Sequence, residues 1–122
     1  MCALVRRAAL AVWRALGPHL SESVYQRALC VELRARAAGG GGAAVAVEQV
    51  RPILHRSVCV GHHRLDVVLG PAILEIKSQH RRYTTPAAHQ PQVLRYLFHR
   101  NPGEYLVLVV FHPVGVATTL YT

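Results

Sequence analysis

The sequence predicts one α+β domain, an α/β arrangement in the broad sense, with the element order ααββββαββ. Two early stretches place apolar residues at helical spacing, short apolar runs separated by turn residues follow, and a third helical stretch precedes two final apolar runs. At 122 residues and 52% hydrophobic content, the chain is long enough for one core and too apolar to be disordered. We therefore expect a single domain over residues 1–122.

Turn and helix-stop residues set the limits of the predicted elements. The predicted helices cover residues 3–16, 20–37 and 86–100, and the predicted strands cover 43–50, 53–60, the two arms of a hairpin within 64–77, 104–111 and 115–121. Because Pro91 would kink the third helix, the start of this helix can instead fall near residue 89. The apolar side chains of this helix that we expect to pack inward are Val93, Leu94, Leu97 and Phe98.

The central hairpin carries three charges in a setting where an apolar strand normally has none. With a two-residue turn at positions 70–71, Leu69 pairs with Ala72, and the same register places Asp66 opposite Glu75. Side chains alternate along a strand, so Glu75 and Lys77 point to the same face. The Cβ atoms of directly opposed residues lie roughly 5 Å apart and like charges there repel each other, so we expect a cation nearby.

Two interpretations of this charged cluster remain open from spacing alone. In the first, Lys77 pairs with Glu75 while Asp66 is solvated at a strand end. In the second, Asp66 and Glu75 supply oxygen ligands to Mg²⁺ or Mn²⁺, and Lys77 positions or polarises a water. A metal held by two carboxylates keeps positions for water and a phosphate, which is a layout suited to phosphodiester hydrolysis.

The second predicted helix carries another acid of interest. Glu22 heads a row with Tyr25, Leu29 and Leu33 at helical spacing, and this row otherwise has an inward-facing pattern. An acid in the first turn is favoured by the helix dipole alone. The alternative is that Glu22 is a third carboxylate that reaches the Asp66 and Glu75 cluster.

The charge balance predicts a polyanionic partner. Fourteen Lys and Arg against six Asp and Glu give a net charge of +8 and a pI of about 10.3, although a basic surface can also bind nothing. In the polar segment 78–85, Arg81, Arg82 and Tyr83 could meet nucleic-acid phosphates and stack a base; the alternative is an ordinary solvated connection. The glycine run 39–42 is predicted to be a flexible loop, because no G-K-[ST] follows it.

Composition also bears on compartment. The longest apolar run, 105–111, is far too short to span a membrane, so no membrane partner is expected. The cysteines are odd in number and lack a CxxC pair, and the single C-x-x-H of Cys59 and His62 has no second pair, so neither disulfides nor zinc are expected. We expect an intracellular protein, cytoplasmic or nuclear. The amphipathic, arginine-bearing first sixteen residues leave a mitochondrial transit peptide as the alternative to a structural helix.

Four segments in order resemble a known family. They are 16–25 (LGPHLSESVY), 64–66 (RLD), 75–77 (EIK) and 89–97 (HQPQVLRYL). Together they are similar to the GxxExxY family, a compact branch of the PD-(D/E)XK nuclease superfamily, over nearly the whole chain. The chain departs from the family pattern at the naming glycine, which is His19 here, in the glycine run 39–42, in an abbreviated hairpin before Asp66, and at Pro91.

This resemblance implies a restriction-endonuclease-like core, a mixed central β-sheet flanked by helices. It implies that Asp66 and Glu75 are Mg²⁺ ligands and that Lys77 is the catalytic lysine. Glu22 would correspond to the family's helical acid, and Gln92 to the glutamine in the helix that follows the E-x-K strand.

The leading functional hypothesis is a Mg²⁺-dependent (or Mn²⁺-dependent) nuclease that acts on nucleic acid, DNA rather than RNA. The candidate backbone-binding residues are Arg64, Arg81, Arg82, Tyr83 and Arg95. A homodimer that cuts both strands is an accompanying possibility. The alternatives are a catalytically inactive nucleic-acid-binding module on the same fold and a structural protein-interaction subunit.

Overall fold

The computed structural model describes residues 2–37, 44–81 and 90–122. Its elements are α1 (Cys2–Leu16), α2 (Glu22–Ala37), β1 (Val45–His55), β2 (Val58–Leu69), β3 (Ala72–Ser78), α3 (Gln90–His99), β4 (Tyr105–His112) and β5 (Gly115–Tyr121). The glycine run 39–42 and the candidate residues Arg82 and Tyr83 lie outside the described residues.

The five described strands form one mixed sheet in the order β1-β2-β3-β4-β5. Strands β3 and β4 are parallel and the other neighbours are antiparallel. A parallel pair requires a crossover, and α3 lies in the segment that joins these two strands. The expectation of an α+β fold with a mixed sheet flanked by helices is therefore confirmed.

Each face of the sheet is covered by a different set of helices. On one face, α1 and α2 bury Val5, Val12, Leu29 and Leu33 against the sheet. On the other face, α3 buries Val93 and Tyr96 against a second apolar cluster. The cluster residues contributed by the strands to this second face are Leu65, Ile73, Leu106, Leu108 and Val110. Because β3 is covered on both sides, its residues Ala72 to Ile76 are all buried.

The central hairpin has the predicted register. Leu69 pairs with Ala72, Val68 with Ile73 and Val67 with Leu74, with a turn at Gly70, whose φ is +57°. The paired region ends there. Asp66 and Glu75 occupy the next positions, at which the two strands separate, and this separation shapes the candidate site.

The predicted order ααββββαββ contains one strand more than the structure has within the described residues. Residues 53–60 were expected to form a separate strand, whereas the structure has two long strands, β1 and β2, joined by a turn at Arg56 and Ser57. Both turn residues have positive φ, +49° and +66°. Neither is Gly, Asn or Asp, so the usual signal of such a hairpin turn was missing from the sequence. Pro52 is accommodated because β1 is an edge strand.

The inward face of α3 also differs from the prediction. Val93 is buried as expected, but Leu94 and Phe98 are exposed, the latter by 86%. Tyr96 takes the inward position instead. The helix begins at Gln90 with Pro91 in its first turn, in agreement with the later of the two predicted starts.

The inward row of α2 is confirmed for Tyr25, Leu29 and Leu33, which are fully buried. The Tyr25 ring stacks on Phe111 with a centroid distance of 4.1 Å. Its hydroxyl donates to the carbonyl of Gly17 at 2.6 Å and accepts from the Leu20 amide at 3.3 Å. Tyr25 thereby holds the α1–α2 connection against the sheet.

No helix in the described parts of the chain has the length and apolarity needed to cross a membrane.

Replacing Tyr25 by Phe tests this anchor. The ring packing is retained while the Gly17 carbonyl and the Leu20 amide lose a partner, so we expect Tyr25→Phe to lower the free energy of unfolding by about 1–2 kcal/mol. Chemical denaturation measures this value. Tyr105→Phe is the matched control, since the Tyr105 hydroxyl makes no hydrogen bond within the described residues; an equal loss in both variants would contradict the anchoring role.

Candidate functional site: a carboxylate and lysine cluster beside α3

The candidate site begins where β2 and β3 separate. Asp66 lies one position beyond the last paired residue of β2, and its Oδ2 accepts a hydrogen bond from the backbone N–H of Ile76 at 2.9 Å. The Asp66 carboxylate thus satisfies the backbone N–H of Ile76, which lies just beyond the last paired residues of β2 and β3. The Asp66 side chain is fixed relative to β3 in consequence.

Glu75 and Lys77 point from β3 toward the face covered by α3. Lys77 Nζ lies 3.2 Å from Glu75 Oε1. Glu75 is only 5% exposed, and its Oε2 is buried without a hydrogen-bond partner among the described residues. A buried carboxylate with one unsatisfied oxygen is costly unless a further donor or cation approaches it.

The electrostatics of Glu75 reflect this environment. Burial and the neighbouring charge of Asp66 raise the pKa of Glu75 from 4.5 to about 7, against a smaller opposing effect of Lys77. Glu75 and Asp66 are therefore close enough to interact, as the hairpin register predicted. Lys77 forms an ion pair with Glu75, as the first of the two interpretations of the cluster requires. This ion pair is compatible with a metal bound to the same carboxylates.

Tyr96 of α3 completes the inner side of the site. Its hydroxyl donates to the carbonyl of Arg64 at 2.7 Å. Burial and the nearby Glu75 carboxylate raise the pKa of Tyr96, so the hydroxyl remains protonated. The hydroxyl also interacts with the Glu75 carboxylate, and this interaction partly opposes the rise in the pKa of Glu75. No role was predicted for Tyr96, because the helix pattern assigned the inward positions to more apolar residues.

Gln92 lies one helical turn before Tyr96 and shares its face of α3. Its Oε1 is buried with no hydrogen-bond partner in the described part of the chain. Two buried side-chain oxygens, those of Glu75 and Gln92, therefore lack partners on the same side of the sheet.

The structure does not bring Glu22 into the site. Glu22 is the first residue of α2 and is exposed, and it makes no hydrogen bond or ion pair with Asp66, Glu75 or Lys77 within the described residues. The helix itself does touch the site's strands. Gln26, one turn after Glu22, donates to the backbone carbonyl of Asp66 at 3.4 Å, so Glu22 is on the side of α2 that faces β2.

Three of the candidate backbone-binding arginines, Arg64, Arg81 and Arg95, lie within the described residues. Arg64 and Arg95 are exposed, and Arg95 lies over the Tyr96 ring, 5.7 Å from its centroid. Arg81 is exposed shortly after β3, where its carbonyl accepts from the Gln79 side chain at 3.0 Å. Arg82 and Tyr83 lie outside the described residues, so their positions stay predictions.

Sequence usage sets the cluster apart from the rest of the chain. Asp66 is the only aspartate and Lys77 the only lysine in 122 residues; every other acid is a glutamate and every other strong base an arginine. Two residue types that the chain uses once each therefore both interact with the buried Glu75.

Comparison with known proteins agrees with this geometry. A family model described as the PD-(D/E)XK nuclease superfamily matches residues 1–116. The chain belongs to this superfamily. Searches of the curated proteins and of the solved structures give no match. Members of the PD-(D/E)XK superfamily generally cleave phosphodiester bonds and typically use divalent metals such as Mg²⁺.

The donor set of this superfamily member fits a hard divalent cation. No group of three or more His, Cys, Asp and Glu side chains suited to a metal exists within residues 2–37, 44–81 and 90–122. Mg²⁺ does not need one, since it is commonly bound by one or two carboxylates and retains several waters. Asp66 and Glu75 would hold the ion, and the unpartnered Glu75 Oε2 is the oxygen that most needs it.

The raised pKa of Glu75 predicts a pH-dependent stability in this superfamily member. The folded state binds a proton at Glu75 more tightly than the unfolded chain does, so without metal the stability falls as the pH rises from about 4.5 to 7. We expect Glu75→Gln, which is neutral throughout, to be more stable than the wild type at pH 8 by about 1–3 kcal/mol. At pH 5 the two proteins should differ little.

Thermal unfolding at pH 5 and pH 8 in EDTA measures this difference. Adding Mg²⁺ at pH 8 should raise the melting temperature of the wild type but not that of Glu75→Gln, because the metal stabilises the ionised carboxylate. Glu32→Gln, at an exposed ion pair with Arg36, is the matched control. If the difference in stability between the wild type and Glu75→Gln is the same at pH 8 as at pH 5, the ionised Glu75 carboxylate is not strained.

Proposed function

We propose that this protein is a Mg²⁺-dependent nuclease that hydrolyses DNA phosphodiester bonds, with Mn²⁺ able to replace Mg²⁺. The supporting observation is the juxtaposition of Asp66, the buried Glu75 and Lys77 at the point where β2 and β3 separate. A metal ion held there would neutralise charge on the scissile phosphate and lower the pKa of a bound water.

The protein's own groups have distinct parts in this proposal. Asp66 and Glu75 bind and orient the metal, and Lys77 holds an attacking water by hydrogen bonding and offsets negative charge that develops on the phosphate. The Gln92 side chain, whose Oε1 is buried without a hydrogen-bond partner in the described residues, would orient bound groups on the α3 side. Glu22 takes part only if the substrate or the metal draws its side chain toward Asp66. Its place on α2 supports this role, because Gln26, one helical turn later, already contacts the Asp66 carbonyl.

The substrate backbone is bound by arginines in this proposal. Arg64, Arg81 and Arg95 are exposed, and Arg82 and Tyr83 follow Arg81 in the chain. The guanidinium group binds two phosphate oxygens at once, which suits it to this role. We further propose DNA over RNA, a homodimer where both strands of a duplex are cut, and an intracellular location, for which the free state of Cys2, Cys30 and Cys59 is the support.

Cleavage of a substrate panel tests the activity. We expect the wild type with Mg²⁺ or Mn²⁺ to cut at least one of single-stranded, duplex, flap and junction DNA, and Asp66→Ala and Lys77→Ala to lower the rate by at least about 100-fold, because each removes charge stabilisation in the transition state. RNA in the same panel tests the preference for DNA. Arg36→Gln is the control variant, since Arg36 pairs with Glu32 on the surface of α2.

No cleavage of any substrate with either metal would refute the nuclease. Salt-sensitive DNA binding without cleavage would then identify a binding module on a nuclease fold, and no binding at low salt would identify a protein-interaction subunit.

The salt dependence of DNA binding tests the arginines. In EDTA, we expect Arg95→Gln and Arg64→Gln each to weaken binding and to lower the slope of log K against log salt by about 1, since each removes one phosphate contact. Fluorescence anisotropy across a salt series gives the slope. Arg7→Gln, on α1 at the opposite face of the sheet, should leave the slope unchanged; equal effects of all three changes would indicate binding through diffuse charge instead.

A further inference from the structure

A cavity of about 480 Å³ opens on the α3 face of the sheet, beside the carboxylate cluster. Its floor consists of Leu65, Ile73 and the ring of Tyr96, and one wall consists of Ile53 and Leu54 from β1. Its size is in the range of small-ligand sites. The candidate catalytic residues do not line it, so it is a separate feature of this face.

The cavity and the cluster are neighbours through two residues. Tyr96 lines the cavity with its ring while its hydroxyl lies close enough to Glu75 for the two groups to alter each other's pKa. Ile73, on the cavity floor, is two residues before Glu75 on the same face of β3, a separation of about 7 Å along a strand. A group seated in the cavity would therefore lie about one nucleotide away from a phosphate at Glu75.

The polar groups of the cavity suit a nucleobase. His63 lines the cavity and is 7% exposed, and its Nε2 is buried with no hydrogen-bond partner among the described residues. Burial and the positive charges nearby lower the pKa of His63, which keeps its imidazole neutral and able to donate at one nitrogen and accept at the other. The apolar floor and the Tyr96 ring provide the flat surface on which a base packs.

The rim of the cavity suits a phosphate. His99 and Arg100 lie at its edge beside Asn101. The acid at this edge, Glu104, is bound by both guanidinium nitrogens of Arg51 at 2.6 Å, which offsets its charge. The entrance therefore does not repel a polyanion.

We infer that this cavity binds one unpaired nucleotide of single-stranded DNA, next to the phosphate that the carboxylate cluster cleaves. This inference rests on the proposed nuclease function. A base paired within a duplex cannot enter such a cavity, because a base must leave its stack to reach a protein pocket. The substrate class is consequently single-stranded DNA or a duplex with an unpaired segment.

The experiment compares two labelled DNA strands of equal length and charge, one normal and one consisting of abasic sugar-phosphate units, in EDTA so that no cleavage occurs. We expect the wild type to bind the normal strand about tenfold more tightly, the effect of one stacked and hydrogen-bonded base. His63→Phe keeps the ring and removes the Nε2 group, and Leu54→Glu places a charge at the wall. Each should reduce the preference to about twofold or less.

Val58→Glu is the matched control for charge. Val58 is 62% exposed on the same hairpin, as Leu54 is 60% exposed, but it does not line the cavity. It should weaken binding to both strands equally and leave the preference intact. Leu54→Glu is at an exposed position, so it provides the test if His63→Phe fails to fold.

The two proposals fail separately. A wild type without preference for the normal strand, or a preference unchanged in Leu54→Glu, overturns the nucleotide cavity even if the protein cleaves DNA. A preference that is lost in Leu54→Glu and retained in Val58→Glu supports the cavity even if cleavage is never observed.

Discussion

The burial of the Glu75 carboxylate in the centre of the sheet is the constraint on which the candidate site depends. An ionised carboxylate at this depth is disfavoured, and the adjacent Asp66 disfavours it further, as the raised pKa of Glu75 shows. Lys77 compensates one oxygen at 3.2 Å and leaves the other without a partner in the described chain. The site is consequently strained in the absence of a further cation, and a fold that retains such strain at its centre is characteristic of a functional site.

The apolar core on the opposite face of the sheet stabilises the fold that holds Glu75 in this buried position. Helices α1 and α2 fill one face of the sheet with apolar side chains and hold the α1–α2 connection through Tyr25. The α3 face is smaller and carries the polar groups: Glu75, Lys77, Gln92, Tyr96 and His63. The larger apolar core on the α1–α2 face therefore offsets the cost of the polar groups buried on the α3 face.

Most of the site's framework was predictable from local patterns, and the parts that were not depend on tertiary contacts. The register of Val67, Val68 and Leu69 against β3 followed from a two-residue turn and alternating apolar residues. The turn at Arg56 and Ser57 was missed because these residues adopt positive φ without the sequence signal for it.

The face of α3 was predicted wrongly for a related physical reason. Counting apolar residues favoured Leu94 and Phe98, whereas the sheet accepts Tyr96 because its hydroxyl finds the Arg64 carbonyl. The cavity could not be predicted from the sequence, because His63 and Tyr96 are far apart in the chain and only the folded sheet brings them together. Single-sequence patterns report which residues can be buried, not which polar residues will find partners.

The choice of lysine at position 77 argues for water positioning in the proposed reaction rather than for phosphate binding. The chain uses arginine at all its other strongly basic positions, including those around the site. Arginine binds phosphate in a bidentate manner, whereas lysine carries a compact charge on a flexible stem with three rotatable donors. Lys77 is largely buried against Glu75. A single ammonium group in that position, among arginines elsewhere, is suited to contacting a water at the cluster, while the surrounding guanidinium groups are suited to the substrate backbone.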